Sequence, residues 1–486
     1  MNAPRPPAGG ATVLRGGRGD GGVSRSRLVA YDVLRDVEER DAYANLALAS
    51  RLAEARLDAR DAALATELAA GALRGRGRYD RIIELAAERD IDRVDARTRN
   101  VLRLGVHQLL GMRTATHAAV NESVELQRRV ANRAATGFVN GVLRTIARTD
   151  EAEWDARIEA AAGSPDEALA ARTSHPAWVL RALRAALASE GRGDELEALL
   201  SADNVPPRVG LALLPGSGMD PGTAEALGGD SGIAATGPSP IGLELSAGDP
   251  MRAIAALDAP DGTVRVQDQG SQLAALALTR ARPAAPGERW LDLCAGPGGK
   301  TAVLAAEARA VGATVRANEI SEHRAELVRG AVIANAEVVE VARHDGREAA
   351  ALGAAEGRFD RVLVDAPCSG LGALRRRPEA RWRKQPTDLP GLTALQGELL
   401  DAAAGGLAPG GILAYVTCSP HLAETRVVVN GLLKRHTGLR ELDAKAIVRE
   451  LARVPLDLAG EALSAQLWPH RHGTDAMFIA LLEKTS

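Results

Sequence analysis

Residues 291–301 narrow the possible folds of this 486-residue chain more than any other stretch, because an apolar run leads through a glycine-rich turn directly into a helical pattern. This order predicts a strand, a tight turn and a helix, the start of a nucleotide-binding βα unit. The alternation continues from Glu288 onward, with strands predicted at 289–294, 313–318, 338–342, 360–365, 411–417 and 476–482 and helices at 299–309, 321–335, 392–404 and 422–435. It predicts an α/β domain with a mostly parallel sheet and helices on both faces.

The spacing of the glycines in this turn excludes two common phosphate-binding loops. A P-loop would need glycine where Cys294 stands, and the dinucleotide fingerprint GxGxxG would need glycine where Thr301 stands. The remaining reading is a turn that brings backbone N–H groups close to the carboxylate or sugar of a ligand at a helix N-terminus; the alternative is a tight turn without a ligand. The residues predicted to form this cofactor cradle are Cys294, Ala295, Gly296, Pro297, Gly298, Gly299 and Lys300.

Acidic residues follow three of the predicted strands. Glu319 ends the second strand, where an acid can accept hydrogen bonds from both hydroxyls of a ribose. Asp345 follows the third strand and can accept from an adenine amino group, and Asp365 ends the fourth. The alternatives are a surface glutamate at 319 and a turn-forming Asp-Gly at 345. The pattern favours a nucleoside ligand at this edge of the sheet.

The three cysteines of the chain, Cys294, Cys368 and Cys418, each lie at or just after the carboxyl end of a predicted strand. Functional sites of open parallel sheets lie at the carboxyl ends of the strands, so we expect all three to project towards one crevice. Their wide spacing, without a CxxC pair, argues against a disulfide framework and against a structural metal site.

Thiols beside an adenosine-type ligand, with an acid and no histidine in a nucleophile motif, favour methylation of a pyrimidine at C5 over cysteine hydrolysis. A thiolate that adds to C6 makes C5 able to attack a sulfonium methyl group. Asp365 can hold or protonate N3, and a second cysteine can help to remove the C5 proton and release the first. The residues alone leave open which of Cys368 and Cys418 is the nucleophile.

Before the α/β domain, apolar residues recur at helical spacing from Ser24 to about Arg148, which predicts an all-α bundle. Residues 1–150 carry 25 Arg against 19 Asp and Glu, a balance that fits contact with a polyanion or an ordinary solvated helical surface. The predicted domains are a disordered tail (1–23), the all-α bundle (24–150), a small α+β linker domain (151–260) and the α/β domain (261–486).

The segment 375–384 offers six positive charges and Trp382 directly after the second cysteine motif. This composition predicts phosphate contact with base stacking, or else a solvated basic loop. The chain shows no apolar signal segment and no run of about 18 apolar residues, so we expect a cytoplasmic protein without a membrane partner, and a monomer by default.

Three motifs occur here in the order of a known family. The stretches Cys294–Lys300, Asp365–Gly370 and Thr417–Ser419 resemble the motifs of S-adenosylmethionine-dependent RNA cytosine-5 methyltransferases of the NOL1/NOP2/Sun family, over about 260–486. The N-terminal bundle resembles NusB, an all-α RNA-binding fold. The combination is similar to the NusB-fused bacterial methyltransferases of small-subunit (16S) ribosomal RNA.

This resemblance implies a Rossmann-like methyltransferase domain, S-adenosylmethionine as cofactor, small-subunit rRNA as partner and no metal. It implies that Cys418 is the nucleophile, that Cys368 assists release, and that Lys300 lies near the methyl donor and the base. The alternatives are a non-catalytic RNA-binding assembly factor of the ribosome and a cytosine-5 methyltransferase of another RNA such as tRNA. An NAD-dependent oxidoreductase is disfavoured by the failed fingerprint.

Overall fold

The computed structural model describes residues 22–246, 248–348 and 359–485, so most of the predicted tail 1–23 lies outside the described residues. The chain divides into two compact units between Ser174 and His175. Among the described residues, no helix is both long and apolar enough to span a membrane.

The first unit is helical, as its periodicity predicts. Leu68, Leu102 and Leu143 are buried in one shared apolar core. Asp58 and Asp95 each begin a helix by accepting a hydrogen bond from the backbone N–H three residues later, which satisfies a donor that the helix cannot. The helices are α1 (Arg25–Glu39), α2 (Ala44–Ala55), α3 (Ala59–Arg74), α4 (Arg76–Ala87), α5 (Ala96–Val106), α6 (Thr116–Val130), α7 (Thr136–Arg148), α8 (Glu151–Ala160) and α9 (Pro165–Arg172).

The second unit opens with two helices, followed by a small antiparallel sheet with two further helices between its strands in the sequence; the strand order is β2-β3-β1-β4. These elements are α10 (Ala177–Ser189), α11 (Leu196–Ala202), β1 (Val209–Leu213), α12 (Pro221–Gly228), β2 (Ile233–Ala234), β3 (Gly242–Leu245), α13 (Pro250–Ala255) and β4 (Val264–Val266). The segment predicted as a linker domain therefore contributes α8 and α9 to the first unit and its later elements to the second. Its boundaries as a separate domain stay a prediction.

The rest of the second unit is the predicted α/β domain. Its elements are α14 (Gln269–Thr279), β5 (Arg289–Asp292), α15 (Gly299–Val311), β6 (Thr314–Asn318), α16 (Glu322–Ala331), β7 (Val339–Ala342), β8 (Phe359–Asp365), α17 (Ala380–Arg383), α18 (Leu389–Gly406), β9 (Leu407–Thr417), α19 (Arg426–Arg435), β10 (Leu439–Leu442), α20 (Ala444–Leu451), β11 (Ala465–Gln466), α21 (Pro469–His472) and β12 (Phe478–Lys484).

The large sheet has the strand order β10-β12-β9-β8-β5-β6-β7, with β11 paired to β12. Strands β5 to β9 pair in parallel and β12 runs antiparallel to β9, which confirms the predicted mostly parallel sheet. Helices α14, α15 and α20 pack on one face, and α18 and α19 on the other. Strands β6 and β7 lie on one side of β5, whereas β8 and β9 lie on its other side, so the chain order reverses at β5. The crevice expected of such a sheet therefore opens at the carboxyl end of β5.

Several predicted element boundaries shift by a few residues, as at β9, which begins at Leu407 instead of 411. Two of the shifts have a local cause. Strand β5 ends at Asp292 instead of Cys294, because Leu293 and Cys294 already belong to the glycine turn. The helix predicted from 422 begins at Arg426, because a separate 3₁₀ turn, Leu422–Glu424, precedes it.

We predict that Arg361 is required for stability of the large sheet. Its side chain is fully buried in β8, and its Nε donates to Glu288 Oε2 at 2.8 Å. Arg361→Ala would remove the fully buried cation of this pair and leave Glu288 with the Trp290 Nε1–H, the Ala285 N–H and the more distant Arg282 guanidinium. We expect a loss of about 3–5 kcal/mol in the free energy of denaturant-induced unfolding. The control is Arg280→Ala, which removes a more exposed pair with Glu307 and should cost less than about 1 kcal/mol. Equal losses in both variants would contradict the prediction.

Candidate active site

The turn after β5 is shaped by two glycines. Gly298 has φ +101°, a conformation that glycine adopts readily, and a Cβ there would lie 2.4 Å from Cβ of Ala331. A Cβ on Gly296 would lie 2.3 Å from Oε2 of Glu319. The turn therefore packs so closely against the end of β6 and against α16 that neither position has room for a side chain. The first backbone N–H groups of α15, which have no partner within the helix, follow directly.

Glu319 is buried beside this turn, directly after β6. Its Oε2 accepts from the Gly296 N–H at 3.1 Å and its Oε1 from the Ser321 N–H at 3.0 Å. Oε2 also pairs with the Arg324 guanidinium at 3.4 Å. An ionised carboxylate has about four acceptor positions, so Oε1 can accept one bond more, and a ligand hydroxyl at Oε2 would replace Arg324.

Asn318 is a residue of this edge that sequence reasoning missed. Its Nδ2 donates to Leu293 O at 3.2 Å and to His344 O at 3.1 Å, and its Oδ1 accepts from the His344 N–H at 3.0 Å. One side chain thus ties together the loops after β5 and β7. The available signal was an asparagine at the end of an apolar strand, where this residue type is depleted.

Asp345 lies in the turn after β7, at the same edge of the sheet. Its carboxylate accepts from the Arg347 guanidinium at 2.9 and 2.6 Å, and these hydrogen bonds lower the pKa of Asp345 to about 2. The side chain is therefore an ionised acceptor at neutral pH, already engaged by Arg347.

Lys300 joins the glycine turn to the end of β8. Its side chain is buried in the first turn of α15, and its Nζ donates to Asp365 Oδ2 at 2.8 Å. Burial opposes the charge of the ammonium group, but the Asp365 carboxylate outweighs it and raises the pKa of Lys300. The side chain of Asp365 is 29% exposed, so a ligand in the crevice can reach this ion pair.

Cys368 and Cys418 meet at the ends of β8 and β9, with their Sγ atoms 3.4 Å apart. A hydrogen bond from Cys368 lowers the pKa of the Cys418 thiol despite its burial, and the nearby Lys300 ammonium acts in the same direction. The same bond, together with burial, raises the pKa of Cys368. Since the thiolate is the nucleophilic form, the arrangement favours Cys418 as the reactive sulfur.

Cys294 has a different environment from the other two cysteines. It packs against the apolar cluster on the α18 side of the sheet, and burial raises the pKa of its thiol. The side chain is therefore a neutral packing group in the turn after β5.

The loop that carries Cys368 is fixed to the end of β9 through Gly372. The Gly372 N–H donates to Cys418 O at 2.9 Å, and Gly372 O accepts from the Ala476 N–H at 2.8 Å. A Cβ on Gly372 would lie 2.1 Å from Ala476 O, so only glycine allows this backbone contact.

The basic segment 375–384 does not offer six charges to a ligand, which corrects the sequence prediction. Arg375 and Arg381 are buried, and Arg376 donates to Asp475 at 3.1 Å. Buried charges need partners, so these guanidinium groups hold the loop together. Burial raises the pKa of Asp475 to about 7. In the described part of the chain, no group of three or more His, Cys, Asp or Glu side chains is placed to hold a metal ion.

Comparison with known proteins gives matches over both halves of the chain. Residues 281–483 match the family model of the 16S rRNA methyltransferase RsmB/F, and residues 24–148 match that of the NusB family. A Mycobacterium tuberculosis protein whose name places it among methyltransferases is 47% identical, covering 94% of this chain and 96% of its own. The ribosomal RNA small subunit methyltransferase B of Pseudomonas putida is 33% identical, covering 86% and 91%. The crystal structure of PH0851 has the same fold, with a TM-score of 0.77 at 22% identity, covering 95% and 98%.

We predict that Lys300→Met lowers the alkylation rate of Cys418 at neutral pH. The variant removes the nearby cation and leaves Asp365 unpaired beside the thiol, so the pKa of Cys418 should rise and its thiolate fraction should fall. The rate at which iodoacetamide modifies Cys418, measured by mass spectrometry from neutral to alkaline pH, should fall several-fold at neutral pH and recover at alkaline pH. The control is Lys434→Met, an exposed lysine of α19. An unchanged pH profile in Lys300→Met would contradict the prediction.

Proposed function

The chain belongs to the 16S rRNA methyltransferase RsmB/F family, and on this premise we propose that it transfers a methyl group from S-adenosylmethionine to C5 of a cytosine in small-subunit ribosomal RNA. The observation that carries the C5 assignment is the contact between Cys368 and Cys418, whose Sγ atoms lie 3.4 Å apart. Transfer to C5 needs one thiol that adds to the base and a second group that helps it to leave, and the two cysteines supply both.

The residues around the glycine turn fit S-adenosylmethionine, which supplies an electrophilic sulfonium methyl group when bound. Glu319 would hold the ribose hydroxyls, and Asp345 would accept from the adenine amino group. The N–H groups at the start of α15 would face the amino-acid end. A Cβ built on Gly299 has no neighbour closer than 3.6 Å, so this side of the turn has room for a ligand.

The reaction then divides among four side chains. Asp365 acts as a carboxylic acid that donates a proton to N3 through one oxygen while its other oxygen accepts from Lys300, and the Cys418 thiolate forms a bond to C6. The electron pair displaced by this addition makes C5 nucleophilic, and C5 takes the methyl group. Once Cys418 is bonded to carbon, Cys368 loses its own proton to solvent, and its thiolate then accepts the C5 proton. The C5–H electron pair re-forms the C5=C6 double bond, the C6–S bond breaks, and Cys418 leaves as a thiolate with the electron pair of that bond.

Access to C6 of a cytosine requires the base to leave its stack, because the thiol attacks perpendicular to the ring. Unstacking costs least in single-stranded or loop regions, so we propose such a region of the rRNA as the target. The NusB-like bundle is proposed to contact the same RNA, since the residues 1–150 carry a positive balance of charge.

Incubation of the full chain with methyl-labelled S-adenosylmethionine and unmodified small-subunit rRNA tests the proposed function. We expect label at a specific cytosine, identified as 5-methylcytosine by nuclease digestion and mass spectrometry. Unmodified tRNA serves as the control substrate, because the same chemistry on tRNA is the nearest alternative. Folded protein that labels tRNA in preference to rRNA, or labels neither, would refute the assignment.

The two cysteines should differ in what their removal does to the RNA complex. Cys368→Ala should accumulate a covalent protein–RNA adduct, because addition at C6 and methylation proceed while release is slowed. Cys418→Ala should form no adduct and transfer no methyl group. Denaturing gel electrophoresis with labelled RNA measures the adduct. The reverse pattern would exchange the two roles.

A further inference from the structure

Glu424 is a fully buried carboxylate next to the two cysteines, and the reaction described so far makes no use of it. Its Oε1 accepts from the Ser369 N–H at 2.7 Å, and its Oε2 accepts from the Ser419 hydroxyl at 2.7 Å. The Ser369 hydroxyl also donates to Oε2. Each of these serines directly follows one of the cysteines, so one carboxylate binds both cysteine loops.

Helix α18 contributes a further donor to the same carboxylate. Gln396 Nε2 donates to Glu424 Oε1 at 3.2 Å and to Pro367 O at 2.9 Å. Four donor groups thus converge on two oxygens. An ionised carboxylate accepts at about four positions and has no donor, so it satisfies all four groups. The NH2 group of an amide would face some of these donors, and two donors cannot form a hydrogen bond with each other.

We propose that Glu424 is a positioning residue that holds Cys368 and Cys418 in contact and keeps the negative charge of the pair on Cys418. The hydroxyl oxygens of Ser369 and Ser419 lie 3.0 Å apart, next to the contact of 3.4 Å between the two sulfurs. The Glu424 carboxylate therefore binds the residue directly after each cysteine. This inference rests on the roles given to the two cysteines in the proposed function.

The charges around the pair support this division. The hydrogen bond with Cys418 and burial raise the pKa of Cys368 most, and the Glu424 carboxylate acts in the same direction. Lys300 favours the thiolate at Cys418, where Asp365 and Asp475 oppose it. The other titratable groups that face Glu424 are the side chains of Tyr415 and His421.

The test compares the alkylation of the two cysteines by iodoacetamide, followed by mass spectrometry across the neutral to alkaline range. Cys418 should react first in the unmodified protein. In Glu424→Gln the ratio of the Cys418 rate to the Cys368 rate should fall about tenfold, the change that one pKa unit produces. Glu424→Asp keeps the charge and should retain most of the preference. The matched control is Glu441→Gln, which removes a carboxylate paired with Arg426 and should leave the ratio unchanged.

A second readout is methyl transfer under single-turnover conditions. Glu424→Gln should lower the single-turnover rate constant with little change in the affinity for RNA or for S-adenosylmethionine, because Glu424 lies apart from the cradle at β5 and β6. Ser419→Ala, which removes one donor to the carboxylate, should shift the alkylation ratio in the same direction by a smaller amount. This variant keeps the inference testable if thermal unfolding shows that Glu424→Gln does not fold.

Alkylation does not require methyl transfer, so the two proposals can fail separately. A protein that makes no 5-methylcytosine, but whose alkylation ratio responds to Glu424→Gln, would refute the proposed function. The positioning role of Glu424 would still be supported. Folded Glu424→Gln and Ser419→Ala variants with the alkylation ratio of the unmodified protein would overturn the role of Glu424.

Discussion

The ion pair between the buried Lys300 ammonium and the partly exposed Asp365 carboxylate is the contact on which the geometry of the candidate site depends. It joins the first turn of α15, which follows the glycine cradle, to the end of β8, where the loop towards Cys368 begins. A buried ammonium group is costly without a partner, so this ion pair stabilises the two halves of the crevice in their joined arrangement. The same cation favours the thiolate form of Cys418, so one charge acts on the glycine turn, on Asp365 and on Cys418.

The sequence predicted the fold well because its signals are local. An apolar run followed by a glycine turn marks β5 and α15 whatever the rest of the chain does, and the order of strands then places Cys368 and Cys418 at neighbouring strand ends. The domain class and the family follow from the same stretches. The roles of the individual site residues stay predictions, since sequence and geometry alone measure no chemistry.

The burial and the hydrogen-bond partners of two side chains could not be predicted, because the partners are distant in the sequence. Arg381 reads as an RNA contact in the sequence, but it is buried and donates to Asn204. The sequence places Glu424 in a predicted helix and gives it no role, but its hydrogen-bond partners come from the loops after β8 and β9 and from α18. No local sequence pattern predicts these contacts, because they depend on how strands that are distant in the sequence pair in the folded sheet.

The contact of Gly372 with Cys418 and Ala476 has a consequence for the order in which the protein matures during synthesis. Strand β12, which follows Ala476 closely, lies between β9 and β10, although it leaves the ribosome after both. Until β12 emerges, β9 is an unpaired edge strand of the sheet. The loop that follows Cys368 also lacks the hydrogen bond between Gly372 O and the Ala476 N–H. Cys418 is thus translated before its surroundings are complete, and the loop that places Cys368 beside it gains its last backbone partner only after Ala476 has been made.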